Sequence, residues 1–250
     1  MQKEEIIRTL NQAYFSEQRH EKRLIELLPS VLSQFQVFVD LGASLGQYTY
    51  FANQMIKGGR LFAIEPDCIR FEELEKNCCQ WAIESENHIT PIRAAVAEKE
   101  GEISFYSTRS NVSGGLFRHA TQDENVEWHE EKVPCTTLDQ ILADDREAFI
   151  KMDVEGVELR VLRGATETLK QGKSIFLIEI HPWIDPEGQK NTQEIFSLMK
   201  SFGYRGIKLF GHWFFVPFGK TWLKLQAVKW QRRIQDSLRY RLPWLFNRGN

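Results

Sequence analysis

The chain has 250 residues, 42% of them hydrophobic and 26% charged, and a formal net charge of −2. That composition fits one large α/β domain with appendages, and the near-zero charge gives no sign of a nucleic-acid partner. Cys68, Cys78, Cys79 and Cys135 lack C-x-x-C spacing, the start MQKEEIIRTL lacks the apolar run of a signal peptide, and no stretch is long enough to span a membrane, so a reduced, cytoplasmic protein without structural zinc is expected.

Residues 3–28 carry Ile6, Leu10, Ala13, Tyr14, Leu24, Ile25 and Leu28 near helical spacing, which predicts one or two amphipathic helices ending at Pro29. Strands and helices then alternate. Strands are predicted over 37–41, 60–64, 89–96, 148–154 and 174–180, and helices over 45–55, 69–83, 158–169 and 191–201. Two further strands, 103–107 and 132–137, flank a polar segment over 108–131. That segment has no apolar period, and it reads either as a functional loop or as a surface insertion, with Arg109, Asn111, Ser113, His119 and His129 in it. Residues 204–210 and 213–217 predict a hairpin with its turn at Gly211-His212. Strand–helix repetition predicts a parallel sheet with helices on both faces, and the hairpin adds one antiparallel strand.

The stretch VFVDLGASLGQYT contains Gly42-Ala43-Ser44-Leu45-Gly46, which fits the G-x-S-x-G of a hydrolase nucleophile elbow. The loop follows the first predicted strand, however, so no earlier strand exists to supply an oxyanion hole. A cofactor loop fits better. Gly42 and Gly46 let a ligand approach the backbone, and Glu65 ends the next strand about twenty residues on, where a carboxylate accepts from ribose hydroxyls. The loop reads D-x-G-x-x-x-G and lacks the third glycine of a dinucleotide site. Asp40, two residues before Gly42, repels a pyrophosphate and suits the cationic S-adenosylmethionine.

The runs VFVDLGASLGQYT, AIEP, TTLDQIL, FIKMDVEGVELRVLRGA and FLIEIH resemble the FkbM family of S-adenosylmethionine-dependent methyltransferases over about residues 35–210. The K-x-D-x-E-G-x-E element, residues 151–158, is the most specific part. Ser44 stands where related loops often carry a small residue or Asn. The resemblance implies a class I methyltransferase fold, Rossmann-like, with a seven-stranded mostly parallel sheet and an antiparallel last strand. It also implies O-methylation, often of sugar or polyketide hydroxyls.

Ligands of open α/β sheets bind beyond the carboxyl ends of the strands, where Asp40, Glu65, Asp153, Glu155, Glu179 and His181 all fall. Asp40, Gly42, Ser44, Gly46, Glu65 and Asp153 are the expected cofactor-binding residues. Methyl transfer to a hydroxyl needs alignment and removal of a proton. His181 is the expected general base, assisted by Glu179 or Glu155, with Asp153 beside them. In a rival arrangement Asp153, Glu155 and Glu179 hold Mg²⁺, which lowers the hydroxyl pKa. The plainer readings are that Asp153 or Glu155 caps the following helix and that His181 is a turn residue.

From Lys220 onward eight basic residues face one acid, so this tail carries +7 and the remainder −9. Leu223, Ala227, Trp230, Ile234 and Leu238 follow helical spacing, and an aromatic stretch closes at 242–246. A basic amphipathic helix of this kind lies on the inner face of a membrane through 220–246, packs on the domain or forms a homodimer. The expected organisation is an N-terminal helical segment (1–34), a methyltransferase domain (35–218) and a basic tail (219–250). The expected function is O-methylation of a hydroxylated small molecule or glycan. An NAD-dependent oxidoreductase and a non-catalytic scaffold stay open as alternatives.

Overall fold

Strands buried on both faces read as continuous apolar runs. Val37–Leu41, Phe149–Met152 and Ile175–Ile178 are such runs, and each is buried along its whole length. The computed structural model describes residues 19–108, 114–116, 128–143, 147–184, 187–219 and 221–230. In chain order its elements are α1 (Arg19–Leu27), α2 (Pro29–Leu32), β1 (Val37–Leu41), α3 (Gln47–Met55), β2 (Arg60–Ile64), α4 (Cys68–Ile83), β3 (His88–Ile92), β4 (Ala95–Val96), β5 (Gly101–Thr108), β6 (Gly114–Gly115), β7 (Trp128–Thr136), α5 (Leu138–Leu142), β8 (Phe149–Met152), α6 (Glu158–Arg163), α7 (Thr166–Gln171), β9 (Ile175–Ile178), α8 (Gly188–Ser201), β10 (Tyr204–Leu209) and β11 (His212–Pro217). A further helix, α9, covers 221–230.

The main sheet has seven strands in the order β10-β11-β9-β8-β1-β2-β3. All pairings are parallel except those of β11, which runs antiparallel between β9 and β10. This is the class I methyltransferase arrangement. The strand order reverses between β1 and β8, and that point opens a crevice at the carboxyl end of the sheet.

Side chains alternate across the sheet with period two. Phe38, Phe149, Ile175 and Leu177 face one layer, where Phe51, Leu74 and Trp81 pack. Val39, Leu41, Ile150, Met152, Phe176 and Ile178 face the other, against Leu138, Leu159, Val161, Ile195 and Met199.

Three expectations need correction. The strand predicted over 89–96 divides into β3 and β4, which join different sheets. β4, β5, β6 and β7 form a second sheet of four strands in the order β4-β7-β5-β6, packed around Phe105 and Val133. The helix predicted over 158–169 breaks at Gly164, where a Cβ would lie 2.2 Å from the Ala97 carbonyl oxygen. The hairpin turn is Phe210-Gly211, one residue earlier than expected. Both residues take positive φ (52° and 89°), as a two-residue type I′ turn requires. His212 therefore belongs to β11 and is buried.

Described residues on both sides of positions 34 and 219 share one core. Leu24, Ile25, Leu28, Val31 and Leu32 share one core with Phe38, Phe149 and Leu225 of α9. Lys224 Nζ donates to the Ser30 carbonyl at 2.6 Å. On α9 the buried side is Leu225, with Trp222 and Val228 against it, while Leu223 and Trp230 are 61% and 66% exposed. Residues Ile234, Leu238 and 242–246 of the expected stripe lie outside the described residues, as do residues 1–18 and Arg109, Asn111, Ser113 and His119. No helix among the described residues is long and apolar enough to cross a membrane.

If α9 docks as described, Leu225→Ala lowers the unfolding free energy by about 2–5 kcal/mol in a urea titration. Leu223→Ala on the exposed side changes it by less than about 0.5 kcal/mol. Equal, small effects of the two substitutions would contradict the docking.

Candidate active site

β1 ends at Leu41, and the chain turns at once into the glycine loop. Gly42 has φ +74°, and a Cβ there would sit 1.9 Å from the Asp153 carbonyl oxygen, so the position admits only glycine without displacement. The N–H groups of Gly42 and Ala43 donate to the Ile64 carbonyl at 3.0 and 2.9 Å. Ser44, with φ 52°, donates its N–H to Glu65 Oε2 at 2.9 Å, and the Asp67 N–H donates to Glu65 Oε1 at 3.0 Å. Asp67 in turn caps α4 by accepting from the Arg70 N–H. Glu65 thus clamps the loop to the end of β2. Burial pushes its carboxyl up, against the pull of the two backbone hydrogen bonds.

Beneath the loop lies a buried ion cluster. Asp40 and Lys151 are register partners on adjacent strands, and Lys151 is only 4% exposed. Lys151 Nζ lies 3.6 Å from Asp40 Oδ1 and 3.5 Å from Asp153 Oδ2, and it donates to the Gly42 carbonyl at 3.3 Å. It also sits 5.0 Å from the centre of the Tyr48 ring. Asp40 Oδ2 accepts from Thr49 Oγ1 at 2.8 Å. Burial pushes the Asp40 carboxyl up, while Lys151 and Thr49 pull it down.

Beyond the ends of β8 and β9, carboxylates surround His181. Its Nδ1 lies 3.0 Å from Oε1 of the buried Glu158, which also accepts from the Gly156 N–H. Its Nε2 lies 3.7 Å from Asp153 Oδ1, 3.9 Å from Glu179 Oε1 and 4.0 Å from Glu155 Oε2. Burial alone would lower the imidazole pKa. The Glu158 hydrogen bond and the charges of Asp153 and Glu155 outweigh it and raise the value to about 9. Glu179 is held down to about 2, first by the hydrogen bond from His212, whose Nε2 lies 3.4 Å from Glu179 Oε2. His212 Nδ1 is 3.1 Å from the Phe210 carbonyl oxygen. Glu155 takes φ 52°, a conformation L side chains rarely adopt, and burial pushes its carboxyl up.

These parts border a cavity of about 480 Å³, within the range of small-molecule sites. Its apolar wall includes Ile64, Pro66, Ala94, Ala95, Val96 and Phe105, together with Leu116 beside β6. Its charged end holds Lys151, Asp153, Glu155, Glu179 and His212. Gly42, Ser44 and Glu65 line it as expected. Asp40 and Gly46 do not. Asp40 is fully buried behind Lys151, and Gly46 caps α3, where a Cβ would lie 2.8 Å from Leu74 and 2.9 Å from Trp81.

His181 sits behind the lining carboxylates. The residues that line the cavity do not include it, so the general base expected here has no direct contact with the cavity. The oxygen set expected for a metal was Asp153, Glu155 and Glu179. Among the described residues, ligand atoms converge within 4.8 Å in Asp153, Glu179 and His181. The helix-cap reading is not met either, because Val157 stands at the start of α6 with no side-chain cap. Lys151, Glu158 and His212 had no role in the sequence reading. The first two lie in the K-x-D-x-E-G-x-E element, which was their signal.

The sequence matches the methyltransferase FkbM domain over residues 40–205. The chain belongs to the FkbM methyltransferase family. It is 26% identical over 177 residues to the hexuronic acid methyltransferase AglP of Haloferax volcanii, a match covering 68% of this chain and 66% of AglP. The FkbM fold is also seen in the crystal structure of methyltransferase FkbM from Methylobacillus flagellatus KT. That structure aligns with a TM-score of 0.50 and 18% identity over 84% of this chain and 58% of the other. The chain spans less than two thirds of the length of either relative.

The loop geometry yields one prediction. Gly42→Ala combines a left-handed φ with a clash against β8's exit, and destabilises the fold by about 2–4 kcal/mol in chemical denaturation. An unchanged midpoint would mean the loop does not pack on Asp153 as described.

Proposed function

We propose that this protein is an S-adenosylmethionine-dependent O-methyltransferase whose acceptor is a sugar or glycan hydroxyl. The observation that carries the reading is the two-ended cavity. One end has an apolar wall beside the buried Glu65, which suits an adenosine. The other gathers Asp153 and Glu179, which suit the ammonium and sulfonium of the cofactor's amino-acid end. A pyrophosphate would meet these carboxylates unfavourably, so the nicotinamide alternative gains no support. Family membership favours catalysis over a scaffold. The sugar acceptor rests on the likeness to AglP.

When bound, the cofactor supplies a methyl group on a cationic sulfur. The chain's own residues do the rest. Residues 42–44 and Glu65 hold the nucleoside, Ala94, Ala95, Val96 and Phe105 exclude water from its base, and Lys151 keeps Asp153 oriented. Glu155 lines the cavity with a carboxyl pushed up by burial and by the charges of Asp153 and Glu179. In this reading it accepts the proton of the acceptor hydroxyl.

The test is transfer of labelled methyl from S-adenosylmethionine to a panel of hexuronic acid and neutral hexose glycosides. Wild type labels at least one of them. Glu155→Gln loses about 10²–10⁴-fold in kcat, the range typical of general base removal, and still binds S-adenosylhomocysteine. A Glu155→Gln enzyme with undiminished turnover removes Glu155 from the mechanism. Cofactor binding without labelling of any glycoside removes the sugar acceptor.

A further inference from the structure

We propose that the face built from the end of α8, the β10 edge and the outer side of α9 rests on an anionic lipid bilayer without crossing it. A surface helix ordinarily buries one apolar stripe and turns polar residues to water. On α9 the buried stripe is Leu225, with Trp222 and Val228 against the same core. Leu223, Ala227 and Trp230, at positions i, i+4 and i+7, make a second apolar stripe on the opposite side, and all three are exposed. Phe218, three residues before α9, is 65% exposed as well. The core satisfies the first stripe, and the second calls for another apolar surrounding.

The charge around that stripe has one sign. Between Glu194 and Asp236 the sequence has no acid and eight basic residues, from Lys200 to Arg233. Lys200, Arg205, Lys208 and Lys224 among them are exposed. β10 is the outermost strand of the main sheet, so this segment forms an edge of the molecule.

A cleft of about 660 Å³ joins α8, β10 and the start of α9. Its lining includes Phe196, Lys200, Arg205, Phe218 and Trp222, and no acid among the described residues. The Arg205 guanidinium lies 4.7 Å from the centre of the Phe218 ring and 5.7 Å from that of Trp222, which holds cation and aromatic rings side by side.

The occupant must be both apolar and negative. A second copy of the chain would bring the same positive face against itself. A nucleic acid would match the cations and leave Leu223 and Trp230 against water and phosphate. An anionic bilayer meets both demands, because its headgroups attract lysine and arginine while leucine and tryptophan enter the boundary between headgroups and acyl chains. This inference stands apart from the methyl-transfer reading.

The test is flotation of the full chain with two kinds of vesicle, phosphatidylcholine alone and phosphatidylcholine with phosphatidylglycerol in equal parts. Wild type floats with the anionic vesicles and not with the neutral ones, and added salt weakens the binding. Leu223→Ser and Trp230→Ser each lower the partition coefficient about tenfold. Lys200→Gln combined with Arg205→Gln lowers it about fivefold per charge. Melting curves of these variants stay cooperative, because the changed side chains are exposed. In vesicles with brominated acyl chains, the tryptophan fluorescence of bound wild type is quenched.

Wild type that floats with neither vesicle overturns the proposal. So does flotation that the Leu223→Ser and Trp230→Ser variants leave unchanged. Bound wild type without quenching overturns it even if the variants fail to fold. A dimer that Leu223→Ser abolishes, with no flotation, gives the stripe to a second copy instead. Oligonucleotide binding with no flotation gives the cations to a nucleic acid.

Discussion

A lysine ammonium enclosed between two carboxylates holds the site together. Lys151 is nearly inaccessible, yet it contacts Asp40 of β1, Asp153 beyond β8 and the carbonyl of Gly42 in the glycine loop. Removing one partner of such a buried set leaves an uncompensated charge, at a cost of about 3–5 kcal/mol. The cation therefore ties three separate pieces of chain at the switch point of the sheet. The expected role of Asp40, direct contact with a cationic cofactor, becomes an indirect one, because Asp40 fixes the lysine that orients Asp153.

Charge is graded outward from this point. Asp40 and Glu65 are buried and bonded to the protein itself, Thr49 serving one and backbone N–H groups the other. Asp153, Glu155 and Glu179 are half-exposed and face the cavity. His181 lies behind them with Nε2 within about 4 Å of all three. A site of this form attracts a positive group, which the ammonium and sulfonium of the proposed cofactor supply.

Much of this was legible in the sequence. β1 and β2 run over the expected residues, since uninterrupted apolar runs between turn residues leave little freedom for their bounds. The loop and Glu65 line the cavity because strand, glycine and acid spacing reflect backbone reach alone. The second sheet was not legible, since Arg93 and Ala94 carry no turn chemistry to mark the change of sheet after β3. His212 was hidden by a turn in which Phe210 adopts a left-handed φ that favours glycine. Burial of Lys151 depends on pairing between β1 and β8, which are more than a hundred residues apart. On α9 both faces carry apolar residues, so spacing alone pointed to Leu223 and Trp230, where the fold buries Leu225.

The central claim is that the Lys151 cluster shapes a nucleoside site under the glycine loop. Calorimetric titration with S-adenosylhomocysteine, comparing wild type with Lys151→Met, tests it most directly. The account predicts one molecule bound per wild-type chain, and affinity reduced at least about tenfold in a variant that is still folded, equivalent to about 1.4 kcal/mol. Equal affinity in the two proteins, or no heat of binding from folded wild type, would contradict it.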